Sequence, residues 1–244
     1  MLSENKKILI IAHRGASKLT PENTLKAFNA AIDLGADYIE FDVRCSADGK
    51  LVIIHDNCTL RTTHKLKWIN RMNLVQIKKL NAGEGERIPT LEELIEHTKG
   101  KVKYMCEIKI KGIIEKVVKI LKEGGVVDST ILISFKHNEL LKIQNHYPKL
   151  KMSAIVPSKF GWISSWLFKK RLILSKSKDK FYAINPFYFL VNKKFLNLAQ
   201  KKNLRVFPWT VNTKRFLKKL INMEVTGILT DDIIKAKELI NSKK

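Results

Sequence analysis

The chain has 244 residues, 46 Lys and Arg against 23 Asp and Glu, and a formal net charge of +23. That length suits one well-buried core and is the usual size of an eightfold strand–helix barrel. No stretch approaches ~20 uninterrupted apolar residues, which excludes a membrane-spanning helix. Cys45, Cys58 and Cys106 are odd in number and lack CxxC spacing. They read as inert, reduced thiols, and a cytoplasmic protein is expected. The charge is uneven: residues 1–156 hold 26 basic and 18 acidic side chains, residues 157–244 hold 20 and 5. Such a surface attracts polyanions, whether nucleic acid, an anionic bilayer or phosphate-bearing substrates. The alternative is a solvated lysine face, because the lysines are scattered along helices.

In chain order, the first apolar run, Ile8 to Ala12, stops on His13-Arg14-Gly15. Lys6 and Lys7 precede it, but a signal peptide ending there would remove this strand, so no targeting segment is expected. Asn23 or Thr24 can cap a helix with apolar positions Leu25, Phe28 and Ile32, and Gly35 ends it. A second run, Tyr38 to Val43, carries Glu40 and Asp42, which share one face because strand side chains alternate. Ser46-Ala47-Asp48-Gly49 reverses the chain into an arm, Leu51 to Ile54, ending on His55-Asp56. Counting outward from the turn sets His55 opposite Glu40.

Residues 57–88 are polar and weakly patterned, with Asn81-Ala82-Gly83-Glu84-Gly85 as loop punctuation. Thr90 and Glu93 form a capping box for a helix through Leu94, Ile95 and His97. Strand-like runs then recur near 102–108, 130–135, 151–156, 181–185, 205–209 and 225–229, with helical patterns such as Ile113, Ile114, Val117, Val118, Leu121 between them. Alternation of this kind predicts a parallel sheet covered by helices, and eight units favour a closed barrel.

Two histidines, an arginine and two carboxylates thus meet between positions 13 and 56 at strand ends, where α/β folds build sites. His13-Arg14-Gly15, Pro21-Glu22-Asn23-Thr24, Glu40-x-Asp42, the Asp48-Gly49 turn and His55-Asp56 together resemble the glycerophosphodiester phosphodiesterases and their lysophospholipase D relatives. Glu107-Ile108-Lys109, Trp209-Thr210-Val211-Asn212 and Gly227-Ile228-Leu229-Thr230-Asp231 extend the resemblance over nearly the whole chain, weakest at 56–87 and 157–180. It implies an α/β (β/α)₈ TIM barrel as a single domain over 1–244, with 57–88 as a short insertion after the hairpin arm.

Cutting a phosphodiester requires charge neutralisation, a base for the nucleophile and an acid for the leaving alkoxide. Glu40, Asp42 and Glu107 offer oxygen ligands from neighbouring strands, a set that favours one Mg²⁺ or Ca²⁺. The resemblance implies His13 and His55 as the acid/base pair, with their roles open. Arg14 and Lys109 are the expected phosphate grips, against a reading as surface salt bridges. Trp209 is placed by the resemblance at the substrate entrance, against a core role. Glu22 is left without a role, Asp56 is expected to orient His55, and Asp231 is either a helix cap or a site residue. His64, His97, His137 and His146 read as surface residues. The implied chemistry is metal-assisted attack on phosphorus by water or by a neighbouring substrate hydroxyl.

Seven of the 20 aromatics fall in two segments bordering the predicted barrel mouth: Phe160, Trp162, Trp166 and Phe168, then Phe187, Tyr188 and Phe189. With Lys169-Lys170-Arg171 alongside, residues 159–171 and 187–191 suit peripheral contact with an anionic inner membrane face, and a lysolipid or other small phosphodiester substrate. An ordinary fifth barrel helix is the alternative. Two rival functions stand beside this one: a phosphoinositide-type phospholipase C, and a non-catalytic basic binder of nucleic acid or membrane. No specific nucleic acid is expected, since every predicted catalytic residue is present.

Overall fold

The computed structural model describes residues 7–144, 146–156 and 181–243. Eight parallel strands run in the order β8-β7-β6-β5-β4-β2-β1-β9: β1 Leu9–Ala12, β2 Tyr38–Cys45, β4 Lys103–Ile108, β5 Thr130–Ser134, β6 Lys151–Val156, β7 Ala183–Pro186, β8 Arg205–Val206 and β9 Gly227–Thr230. Backbone hydrogen bonds from Thr226 N to Val206 O (3.1 Å) and from Leu229 N to Pro208 O (3.0 Å) bridge the remaining gap and complete a (β/α)₈ barrel. The third strand, β3 (Leu51–Ile53), lies off the ring and pairs antiparallel with β2.

Side-chain alternation divides the apolar residues into two layers. Ile11, Tyr38, Met105, Ile131, Ile133, Ile155, Phe207 and Leu229 fill the barrel interior. Their strand neighbours Ile39, Phe41, Val43, Tyr104 and Cys106 point outward beneath the helices. There Phe28 of α1 (Leu25–Asp33) meets Phe41 edge-on at 6.2 Å, and Phe41 meets Tyr104 likewise at 6.2 Å. Each such buried phenyl contributes about 1.5–3 kcal/mol. Strands buried on both faces read as continuous apolar runs, so a carboxylate inside one is conspicuous.

Thr24, not Asn23, caps α1, its hydroxyl accepting from Ala27 N at 3.2 Å. The box of Thr90 and Glu93 forms as predicted at α4 (Leu91–Thr98). Residues 57–88 are more ordered than their polarity predicts. They hold two short helices, α2 (Leu60–Thr63) and α3 (Leu74–Lys78), and Ile69, Met72, Ile77, Leu80 and Ile88 make a small core with Val52 and Ile54 of the β3 arm. Outward from the turn, Val43 pairs with Ile53, so the ladder would set His55 opposite Phe41, one residue from the expected Glu40. The expectation that His97 and His137 are surface residues is also corrected. Both are half-buried: His97 Nε2 lies 2.9 Å from Asn29 Oδ1, and His137 Nε2 donates to the Ile155 carbonyl at 2.9 Å.

The remaining α-helices among the described residues are α5 (Ile114–Glu123), α6 (His137–Ile143), α7 (Lys193–Lys201), α8 (Lys214–Asn222) and α9 (Ile233–Asn241). None of the described helices is long and apolar enough to cross a membrane. The aromatic stretch at 159–171 lies outside the described residues.

The turn after β1 depends on glycine. Arg14 and Gly15 both adopt left-handed backbone, φ 58° and 80°, and a Cβ on Gly15 would come within 2.7 Å of the Ala27 backbone. Gly15→Ala is therefore expected to destabilise by about 2–5 kcal/mol, from backbone strain and overpacking. A fall in the urea midpoint at constant slope checks this.

Candidate active site

The predicted site residues gather at one end of the ring; Glu40, only the third residue of β2, reaches that level because its neighbour Ile39 pairs with Ala12, the last residue of β1. His13 and Arg14 follow β1, Glu40 and Asp42 belong to β2, His55 follows β3, Glu107 ends near the top of β4 with Lys109 just beyond, and Trp209 follows β8. His13, Arg14, Glu40, His55, Glu107, Lys109 and Trp209 line one cavity, floored by Ile133, Ile155 and Leu229. Asp42, two residues beyond Glu40 on β2 and paired with Glu107, is 1% exposed and does not line the cavity itself. A larger groove of about 580 Å³ beside the amino ends of β8 and β9 is lined by exposed side chains such as Lys193, Asn197, Arg205 and Glu224, far from these residues in the barrel.

The strand register brings the carboxylates together. Asp42 and Glu107 are direct partners across β2 and β4, and Glu40 is two residues back on the same face. One oxygen from each lies within 4.8 Å of the others. All three are buried, and three like charges there cannot all be ionised at ordinary cost. Burial, then the Asp42 charge, pushes Glu40 up to about 8. Burial and Asp42 also raise Glu107, whereas Asp42 is held well below the usual carboxylate range. Burial opposes that lowering, and the charges of Lys109 and Arg14 outweigh it. Lys109 Nζ lies 2.8 Å from Glu107 and 3.3 Å from Asp42, and Arg14 Nε lies 3.4 Å from Asp42. Even with both cations present Glu40 remains raised, so the cluster is short of positive charge. Three hard oxygen donors in that condition fit a divalent cation.

The Pro21–Thr24 loop frames this cluster. Asn23, in left-handed backbone that asparagine tolerates, donates from Nδ2 to Asp42 Oδ2 at 2.9 Å. Glu22 accepts from Arg14 Nη1 at 3.0 Å and from both terminal nitrogens of Arg61 at 2.7 Å. Arg14 N donates to Glu40 Oε2 at 3.0 Å, so the strained turn itself holds a carboxylate in place.

Each histidine leans on an aspartate. His13 Nδ1–H donates to Asp231 Oδ1 at 2.6 Å, and His55 Nδ1–H donates to Asp56 Oδ1 at 2.7 Å. In both, Nε2 is left for the cavity. Their environments differ. Burial alone would lower His13, but the Asp231 hydrogen bond and nearby Glu40 outweigh it and leave the imidazole above its ordinary value. Burial lowers His55, and Arg14 and Lys109 add to it. Asp231 is thus a site residue and Asp232 is the cap of α9, its side chain accepting from Lys235 N at 3.2 Å.

Trp209 stands at the rim, its indole N–H donating to Asn185 O at 2.9 Å and its ring edge-on to Phe135 at 5.4 Å. Sequence reasoning missed Asn23 as a site residue, Arg61, and Arg44, whose Nε donates to the His55 carbonyl at 2.7 Å. Asn23 and Glu22 were signalled by their motif. Arg61 carried no signal beyond its charge.

Comparison with known proteins follows the same lines. The sequence pattern of the Glycerophosphoryl diester phosphodiesterase family matches residues 13–235. A glycerophosphodiester phosphodiesterase of Caldanaerobacter subterraneus subsp. tengcongensis is 38% identical over 240 residues, covering 93% of this chain and 95% of the relative. The glycerophosphodiester phosphodiesterase structure from Agrobacterium tumefaciens superposes with a TM-score of 0.81 at 26% identity, covering 94% of this chain and all of that one (100%). A phosphodiesterase from Oleispira antarctica, solved with the product sn-glycerol-3-phosphate, superposes at 0.82 with 26% identity and 96% coverage of both chains. On sequence, fold and assembled site alike, the chain belongs to the glycerophosphoryl diester phosphodiesterase family.

Proposed function

We propose that this chain, a glycerophosphodiester hydrolase, releases glycerol 3-phosphate and an alcohol with one Mg²⁺ or Ca²⁺ held by Glu40, Asp42 and Glu107. The observation that carries the reading is the meeting of three buried carboxylates, within 4.8 Å of one another, with two aspartate-backed histidines around a single cavity. A relative bound to sn-glycerol-3-phosphate supports the product. When bound, the cation neutralises charge on the phosphoryl oxygens. Arg14 and Lys109, both leaning on ionised Asp42, grip the phosphate from the flanks. His55, lowered and so neutral near pH ~7, takes the proton of the attacking water, or of a neighbouring substrate hydroxyl whose cyclic phosphate water then opens to glycerol 3-phosphate. His13, raised against burial by its Asp231 bond and so the more readily protonated of the two, delivers a proton to the leaving oxygen. Trp209 packs on the glycerol portion.

A substrate panel tests this reading: glycerophosphocholine, glycerophosphoethanolamine, glycerophosphoglycerol and lysophosphatidylcholine, each with EDTA, Mg²⁺ or Ca²⁺. Alcohol release is expected with added cation and is expected to fall at least ~100-fold in EDTA. Full turnover after exhaustive chelation would remove the metal from the proposal, and inositol phosphate release from phosphatidylinositol, added as a fifth substrate, would favour the phosphoinositide-type reading.

The lysolipid reading has its own support. Phe187, Tyr188, Phe189 and Phe216 form a contiguous aromatic ledge, with Phe187 stacked on Phe189 and 5.8 Å from the Trp209 ring, and Phe189 53% exposed. Exposed Lys214, Arg215, Lys218 and Lys219 share the helix of Phe216. An aromatic ledge beside cations suits an acyl chain and peripheral contact with an anionic bilayer. Lysophosphatidylcholine turnover at or above that of glycerophosphocholine is the outcome that supports it.

A further inference from the structure

Arg61 belongs to the 57–88 segment, outside the family's strand-end machinery, yet it joins both halves of the site. Its Nε donates to Asp56 Oδ2 at 2.6 Å, while Asp56 Oδ1 accepts from His55 at 2.7 Å. Its two terminal nitrogens fork onto the two oxygens of Glu22 at 2.7 Å each, and Glu22 Oε1 also accepts from Arg14 Nη1 at 3.0 Å. One guanidinium therefore uses three donors on two carboxylates. One of these holds a histidine, the other holds the arginine at the phosphate.

We infer that Arg61 is a positioning residue that locks His55 and Arg14 into one unit through Asp56 and Glu22. The inference rests on the proposed roles of His55 and Arg14. The planar fork matters because its donors diverge at fixed angles. Lysine supplies one point charge and cannot serve Asp56 and both Glu22 oxygens at once. Without Arg61, Asp56 loses the contact that fixes the carboxylate behind His55. Glu22 would keep only Arg14, drawing that guanidinium away from the phosphate. Asp56 and Glu22 are both held below the usual carboxylate range: burial opposes this, and hydrogen bonds to His55 and Arg61 for Asp56, and to Arg61 for Glu22, outweigh it. Arg61 itself is half exposed, on a four-residue helix, so its removal need not disturb the core.

The arrangement predicts a divided kinetic signature. Asp56→Asn is expected to lower mainly kcat, Glu22→Gln to raise mainly KM, and Arg61→Ala to do both, with kcat/KM for glycerophosphocholine falling ~10–100-fold, the range for groups that orient a site's ligands. Arg61→Lys is expected to fall with Arg61→Ala. The double variants Arg61→Ala/Asp56→Asn and Arg61→Ala/Glu22→Gln are expected within about threefold of their worse single parent, because residues acting as a unit are not additive. Circular dichroism melts accompany each protein. Multiplicative losses, wild-type rates in Arg61→Lys, or a fall in kcat that only tracks lost folded protein would overturn the inference. Inactive His55→Ala beside an unaffected Arg61→Ala would sink the positioning role alone; an active His55→Ala would sink the reading beneath it.

Discussion

Glu107→Gln is expected to lower kcat/KM by at least about 10³-fold while leaving the cation-free protein as stable as the parent, or more so. The two halves share one cause. Glu107 is buried beside Asp42 across the β2–β4 ladder, and burial with the Asp42 charge raises its carboxyl above the ordinary value. A carboxyl raised on folding is a cost at neutral pH: the ionised form is disfavoured in the folded chain relative to the unfolded one. Glutamine keeps the volume and removes that charge, so Glu40, pushed up to about 8 by burial and its acidic neighbours, is relieved as well. The same change removes one of three anionic oxygens from the cation. Mg²⁺ or Ca²⁺ at about 100 times its dissociation constant is expected to stabilise the parent by about 2.7 kcal/mol. The variant should show little of that gain. Thermal melts with EDTA and with each cation, beside initial rates, read both effects. A variant that melts earlier in EDTA would show that Glu107 serves the fold, and one with parental rates would remove it from the site.

What the amino-acid order revealed, and what it hid, follows from how each group is held. Glu40, Asp42 and Glu107 were legible because barrel strands are apolar on both faces, so a charge inside one has no bland explanation. The register then had to bring them together, since i and i+2 share a face and β2 and β4 are neighbours. His55 was placed one residue off because the turn is one residue longer than its Ser46–Gly49 signature: Ser46 N donates to the Lys50 carbonyl, and the ladder starts with Cys45 opposite Leu51. Arg61 was hidden for another reason. The segment around it buries Ile69, Met72, Ile77 and Leu80 through helices of only four and five residues, too short for a 3.6-residue period to emerge. Its partner Glu22 is 39 positions away, and only the closed ring brings them together. The same holds for Asp231, 218 positions from His13, where the last strand returns beside the first. As an acidic residue just before a helix it looked like a cap, and the next residue, Asp232, takes that role.

Asp231→Asn is expected to cost up to about 10⁴-fold in kcat near pH 8 and distinctly less near pH 5.5, the upper figure being the loss when an aspartate behind a catalytic histidine becomes an amide. Asp231 accepts from His13 Nδ1 on one oxygen, and on the other from Asn212 Nδ2. In the variant the amide oxygen is drawn to the Asn212 donor, which turns the NH₂ toward His13. A donor facing Nδ1 disfavours the imidazolium and imposes the other tautomer. In the parent, burial would lower His13, and the Asp231 bond is the largest of the influences that raise it instead. The sign follows: a group needed in its protonated form is present below its pKa and lost as pH rises through it, so lowering that pKa moves the alkaline limb of the rate profile toward acid. The acid limb, set by His55 and its own partner Asp56, should stay where it is. Asp231 lines an adjoining cavity with Ser17, Lys18 and Asn212, which shares His13 and Arg14 with the one holding Glu40 and Glu107. A pH profile of kcat for parent and variant decides the matter. Equal deficits at every pH would mean that Asp231 only braces the ring, and that the proton reaching the leaving oxygen comes from elsewhere.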